Sequence, residues 1–224
     1  MSSLPLGCPE WQYGEHPNRE ESLRAATELL IVDLLAGKYP PETLAHDTRP
    51  IHERLFKNLA PPGHEYYAGT YRGSHQKCLR NYNVGIPSDP RVGARADVVF
   101  REMPKLGEAI SNSIKELDAI FQAAIAAGTP VPEIDRLVGV VRVACEALVS
   151  FLTVHPYVDG NGHVARVLLW SILIKFGYVP DRWPIEPKPP SPYSDAIYKH
   201  RSGDTSSLEN YVLASVSLLP TPDA

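Results

Sequence analysis

The sequence predicts an all-α fold with one small β element. Three observations carry this. Apolar residues recur with helical period over several long stretches, as at 134, 137, 138, 141, 144, 148, 151 and 152, which share one face. Prolines, 22 in 224 residues, cluster between those stretches as punctuation. Only one segment, Tyr71 to Ile86, mixes polar and apolar residues among Gly, Asn and Pro in the manner of a short hairpin.

The helices are expected in this order. Glu20 to Leu35 and Arg49 to Asn58 come first, then Ala94 to Ala127, which Pro104 should kink or split. Ile134 to Leu152 follows as an amphipathic helix. Gly162 to Phe176 is apolar nearly all round after Arg166, so it should be the buried central helix, with Gly177 placed to end it. Tyr193 to Arg201 and Ser206 to Leu219 complete the set. No internal repeat breaks the chain, and its length suits one domain. Residues 1–48 read as an N-terminal segment whose helix packs on the core, residues 49–219 as the domain, and residues 220–224 as a tail.

Composition narrows the function classes. Charged residues make up 21% and the formal net charge is −4, without a dense basic run, so nucleic acid is not an expected partner. Cys8, Cys78 and Cys145 are odd in number and lack CxxC spacing. Free thiols and a reducing compartment are expected, with Cys145 as a small buried hydrophobe. The start, MSSLPLGCPEW, has no basic-then-apolar signal pattern, and the run VLLWSILI is too short to span a bilayer. A cytoplasmic location without a membrane partner is expected, with delivery into another cell left open.

One dodecamer stands out. Residues 155–166, HPYVDGNGHVAR, interrupt two strongly apolar stretches. Glycines permit positive φ and close approach of another molecule to the backbone. Successive amides at a helix N-terminus form a concave anion site. Arg166 lies one turn into that helix, where its fork reaches back towards the mouth. Asp159 suits Mg²⁺, and His155 is the nearest proton acceptor near neutral pH. Together these are the parts of a site for a nucleoside triphosphate. Two other readings stay open: a plain glycine-rich connection between helices, and a metal triad of His155, Asp159 and His163 at four-residue spacing.

The dodecamer resembles the signature of the Fic (Fic/Doc) family, H-P-F-x-D/E-G-N-G-R-x-x-R. Eight of nine specified positions fit with Tyr157 in place of phenylalanine. Residues 51–73, IHERLFKNLAPPGHEYYAGTYRG, are similar to the family's upstream segment, and DTSSLENYVL after Gly203 to its closing helix. The resemblance implies a compact helical domain binding ATP with Mg²⁺ and transferring AMP to a Ser, Thr or Tyr hydroxyl of a target protein. It implies His155 as general base and Asp159 as the Mg²⁺ ligand. Gly160, Asn161 and Gly162 would form an anion hole, Arg166 would pair with the distal phosphate, and Tyr157 would pack inward. The hairpin at Ser74 to Ile86, with Cys78, Leu79 and Arg80, would be the flap that clamps the target by strand addition.

The chain departs from the family where His163 replaces the first signature arginine. One imidazole donor in place of five weakens phosphate binding and makes it pH-dependent. AMP transfer at reduced rate, transfer of another phosphate-bearing group, and a catalytically quiet nucleotide- or partner-binding module are the three consequences. Thr205 to Asn210 matches the letters of the family's inhibitory motif, yet lies in the closing helix, so Glu209 is expected to face solvent. Inhibition would then come from a separate antitoxin-like partner or be absent. His52 should be a hydrogen-bonded core-edge residue, Arg72 a tie between turn and helices, and Trp170 core.

Overall fold

The computed structural model of the protein describes residues 5–86 and 88–218. Among them lie eight α-helices: α1 Arg19–Leu35, α2 Pro41–His46, α3 Arg49–Phe56, α4 Ala96–Ala126, α5 Glu133–Val154, α6 Asn161–Lys175, α7 Tyr193–Arg201 and α8 Ser206–Leu213. A two-residue pair, β1 Tyr178–Val179 antiparallel to β2 Ser217–Leu218, ties the end of α6 to the segment after α8. The all-α class is therefore observed.

The core forms around α5 and α6, the most extensively packed helix pair. Every residue of α6 from His163 to Leu173 is buried, as its all-round apolarity requires. α5 turns Val141, Ala144, Leu148 and Phe151 inward, each with no accessible surface. α4 and α8 pack on its other faces, and α7 packs on α8. In length and apolarity α5 could cross a bilayer, but half of that stretch is buried within the fold. Trp170 is core, 5% exposed, and its Nε1 donates to the Trp183 carbonyl at 2.8 Å. Cys145 is free and fully buried, as expected.

Several expectations need correction. Pro104 does not split its helix: α4 runs unbroken through it, with the proline on the exposed side where water can solvate the freed carbonyl. The last helix stops at Leu213, and residues 215–218 turn back to build β2. Its expected end, Leu219, and the tail at 220–224 lie outside the described residues. α2 was not anticipated, because its six residues are too few to show a period.

The expected hairpin at residues 74–86 is a series of turns; its one β contact is a bridge between Ile86 and Asp89. Polar groups of the segment are paired with the residues that flank it. Gly73 N–H donates to Leu79 O at 2.8 Å, and Asn83 Oδ1 accepts from Ala96 N–H at 2.8 Å at the start of α4. Cys78 is not a free thiol. It is disulfide-bonded to Cys8 across a separation of 70 residues, a pairing that spacing alone does not reveal.

Candidate active site

The dodecamer forms the loop between α5 and α6 and lines a cleft of about 570 Å³. His155 is the C-cap of α5 at φ 54°, ψ 60°, the one non-glycine residue with positive φ among the described residues. Left-handed backbone is costly for such a side chain and persists only where neighbours enforce it. Arg72 is the enforcer. Fully buried, it donates from Nε and Nη2 to the His155 carbonyl at 3.0 and 2.6 Å, and from Nη2 to Ala94 O at 2.9 Å. Its own amide donates to Pro156 O at 2.8 Å. Arg72 is thus the expected tie, acting as a side-chain cap on α5.

Nδ1 of His155 lies 3.2 Å from the Leu152 carbonyl and donates to it, which leaves Nε2 as the basic atom. Burial, partly opposed by that carbonyl and reinforced by the charges of Arg72 and Arg201, pushes the imidazole down to about 4. At neutral pH His155 is an uncharged base.

The turn after it is locked from within. Tyr157 packs fully inward, its hydroxyl 2.7 Å from Thr48 Oγ1. Its ring stacks on His52 at 3.7 Å between centroids. His52 takes the Gly69 amide on Nδ1 at 2.8 Å and donates from Nε2 to the Asp159 carbonyl at 2.9 Å. It is a structural histidine, as expected, and burial drives it down to about 3. Asn161 staples the loop, its Oδ1 accepting from Tyr157 N–H at 2.9 Å and its Nδ2 donating to Tyr157 O at 3.0 Å.

Gly160, the N-cap of α6, has φ 76°, and a Cβ there would lie 2.4 Å from the Phe56 ring. No other residue fits without movement. Its amide donates to Asp159 Oδ1 at 2.7 Å, so it is not the free donor that the sequence suggested. The amides of Asn161 and Gly162 have no partner among the described residues. They stand at the positive end of a 15-residue helix, on the wall of the cleft, the arrangement that binds anions.

Asp159 accepts the Tyr13 amide on Oδ2 at 3.1 Å, and burial raises its pKa against these two hydrogen bonds. A half-buried carboxylate on the cleft wall fits Mg²⁺, which takes one or two carboxylates alongside substrate phosphates. No cluster of three His, Cys, Asp or Glu suited to a metal occurs among the described residues, so the His155–Asp159–His163 triad is not assembled. Arg166 is 2% exposed, donates from Nε to Ile185 O at 2.7 Å and lines the cleft.

His163 departs most from expectation. It is 2% exposed, with the edges of Tyr13 and Phe56 at 5.4 Å, and its Nε2 is 2.5 Å from Glu186 Oε2. Burial lowers the imidazole despite Glu186, and the hydrogen bond from His163 lowers the carboxylate. A neutral imidazole therefore donates to an ionised glutamate. The expected phosphate ligand is engaged already, and the Glu186 carboxylate stands beside it where an arginine would present positive charge.

The flap residues part company. Cys78 and Leu79 are buried, at 3% and 0% exposure, and the Leu79 amide and carbonyl are already paired with Gln76 O and the Gly73 amide; of the three, Arg80 alone is exposed. Glu209 does not face solvent fully. It is half-buried 3.7 Å from Arg142 and lines a different cavity with His200, away from the signature loop. Tyr13, Arg19, Glu186, Lys188 and Arg201 also line the cleft and were not anticipated. Glu186 and Lys188, the lone charges in the proline run 184–192, were the one available signal.

A family model described as the Fic/DOC family matches residues 43–173, more than half of the chain. No curated protein matches. Among solved structures, the BepC protein of Bartonella tribocorum, a VirB-translocated effector crystallised with AMPPNP, aligns at a TM-score of 0.60 with 13% identity over 97% of each chain.

Proposed function

The chain belongs to the Fic/DOC family, and from that premise we propose that it transfers AMP from ATP to a Ser, Thr or Tyr hydroxyl of a target protein. The observation that carries the proposal is the pairing of an uncharged His155 with two unpartnered amides, at Asn161 and Gly162, on one cleft. The similar fold of BepC, which binds AMPPNP, supports a nucleotide in this position.

The chemistry follows from the residues. The free amides and Arg166 hold and orient the phosphates, and positioning with charge stabilisation supplies most of the acceleration in such transfers. Mg²⁺ held by Asp159 would neutralise phosphate charge. Nε2 of His155 takes the proton from the target hydroxyl as its oxygen bonds to the α-phosphorus. The bond from that phosphorus to the bridging oxygen of the β-phosphate breaks, and pyrophosphate leaves.

A second reading has its own observation. Because Glu186 occupies the His163 donor, a donor with less distal negative charge than ATP, or nucleotide binding without transfer, also fits the cleft. Incubation with α-labelled and, separately, γ-labelled ATP plus Mg²⁺ separates them. Protein label from the α position alone supports AMP transfer. Label from γ alone supports phosphoryl transfer, and binding without label supports the quiet module.

A further inference from the structure

We propose that Arg201 is a phosphate-contacting catalytic residue, supplying from α7 the positive charge that position 163 lacks. The inference rests on the reading of the cleft as a phosphate site.

Arg201 lies outside the signature, near the end of the chain, yet it lines the same cleft as His155. Its side chain is 8% exposed. A guanidinium carries five N–H donors and stays charged, so burying one demands a matching set of acceptors. Among the described residues it makes one hydrogen bond, from Nη1 to Asp89 Oδ2 at 3.0 Å. Nε is enclosed by protein without a partner, whereas Nη2, also without a partner there, keeps accessible surface.

Asp89 cannot balance the charge alone. Arg91 already grips it with Nε to Oδ1 at 2.7 Å and Nη2 to Oδ2 at 3.1 Å. Two guanidiniums share one carboxylate, leaving a net positive charge at the cleft wall. An anion in the cleft would meet the Nη end of the guanidinium, the part left open to it. A guanidinium fork matches a phosphoryl group's oxygens.

Position defines which phosphate. Arg201 and His155 line one cleft, close enough for the charge of one to bear on the imidazole of the other. A base near the attacking hydroxyl is also near the phosphorus under attack, so Arg201 faces the transferred phosphoryl group. Its hydrogen bonds strengthen as charge gathers on those oxygens, and none of its own bonds is broken. Asp89 is the positioning residue behind it.

The test measures the dissociation constant for AMPPNP with Mg²⁺ and the rate of α-label transfer from ATP to protein, in wild type, Arg201→Gln and Arg201→Lys. Lys199→Gln removes one exposed charge from the same helix as control. Arg201→Gln should lower the rate about a hundredfold, the size of a lost oxyanion donor. Arg201→Lys, which keeps the charge, should recover part of that loss, and Lys199→Gln should match wild type. Should Arg201→Gln not fold, Arg201→Lys decides by losing about tenfold for want of the fork. Wild-type rates in both Arg201 variants, or an equal loss in Lys199→Gln, would overturn the assignment alone. A wild-type protein that neither binds AMPPNP nor transfers label overturns the reading of the cleft, and this assignment with it.

Discussion

At the scale of single residues, the site depends on two backbone positions that most side chains could not occupy. His155 is held left-handed so that its ring enters the cleft, and Gly160 is left-handed because Phe56 lies where a Cβ would be. Gly160→Ala should cost at least ~2 kcal/mol, combining strain with a clash against a packed ring. Nucleotide affinity should fall with it, and a thermal melt with calorimetric titration reads both. His155→Ala should abolish label transfer while leaving AMPPNP affinity within about threefold, because a general base contributes mainly to the chemical step. Undiminished transfer would remove the base assignment. The pH dependence has a definite sign. With the imidazole pushed down to about 4, the competent unprotonated form is lost only as pH falls through that value. The rate should therefore stay flat from neutrality down to about pH 5 and fall below it. A midpoint near the ordinary histidine value would contradict the burial.

At the scale of elements, α5 and α6 place the loop, and one buried arginine fixes their junction. Arg72 supplies the His155 carbonyl at the end of α5 with two donors and adds a contact to the Val154 carbonyl, which the Ala94 amide also reaches. Arg72→Met, similar in volume, should destabilise the fold by more than ~3 kcal/mol, since several buried carbonyls lose their partners at once. A denaturant midpoint unchanged from wild type would show the ties to be dispensable. The sequence made α5 and α6 legible because one carries a clear 3.6-residue period and the other an unbroken apolar run. The signature residues were legible because the loop's chemistry is local. His163 was legible as a departure but not in its consequence, because Glu186 approaches from 23 residues away. The flap failed for a related reason. Gly, Asn and Pro around mixed residues fit a hairpin, but the pull of Leu79 into the core and the Cys8 bond are tertiary facts.

At the scale of the whole molecule, the N-terminal segment is part of the site. Trp11 is 4% exposed and donates from Nε1 to Leu59 O at 2.9 Å, and Tyr13 closes over Asp159 and His163. Closing a long loop through Cys8 and Cys78 restricts the unfolded chain, typically by about 2–4 kcal/mol. Cys8→Ser should lower the melting temperature, as should a reductant on wild type, whereas the same reductant should leave Cys8→Ser unmoved. The buried His52 adds a pH term. Its folded pKa of about 3 lies below the ordinary 6.5, so the unfolded state binds the proton more readily between those values. Stability is complete above about pH 6.5 and declines towards pH 3, by up to ~1.4 kcal/mol per pH unit from this group. His52→Gln, whose amide can replace one of the two ring contacts, should flatten that slope in urea titrations from pH 4 to 7. The central claim is that the mouth of α6 cradles phosphates with an imidazole at its rim. A crystal structure with AMPPNP and Mg²⁺ tests it most directly. The phosphates should sit on the Asn161 and Gly162 amides, with Nε2 of His155 facing the α-phosphorus. Phosphates seated away from those amides, or an imidazole turned from them, would contradict it.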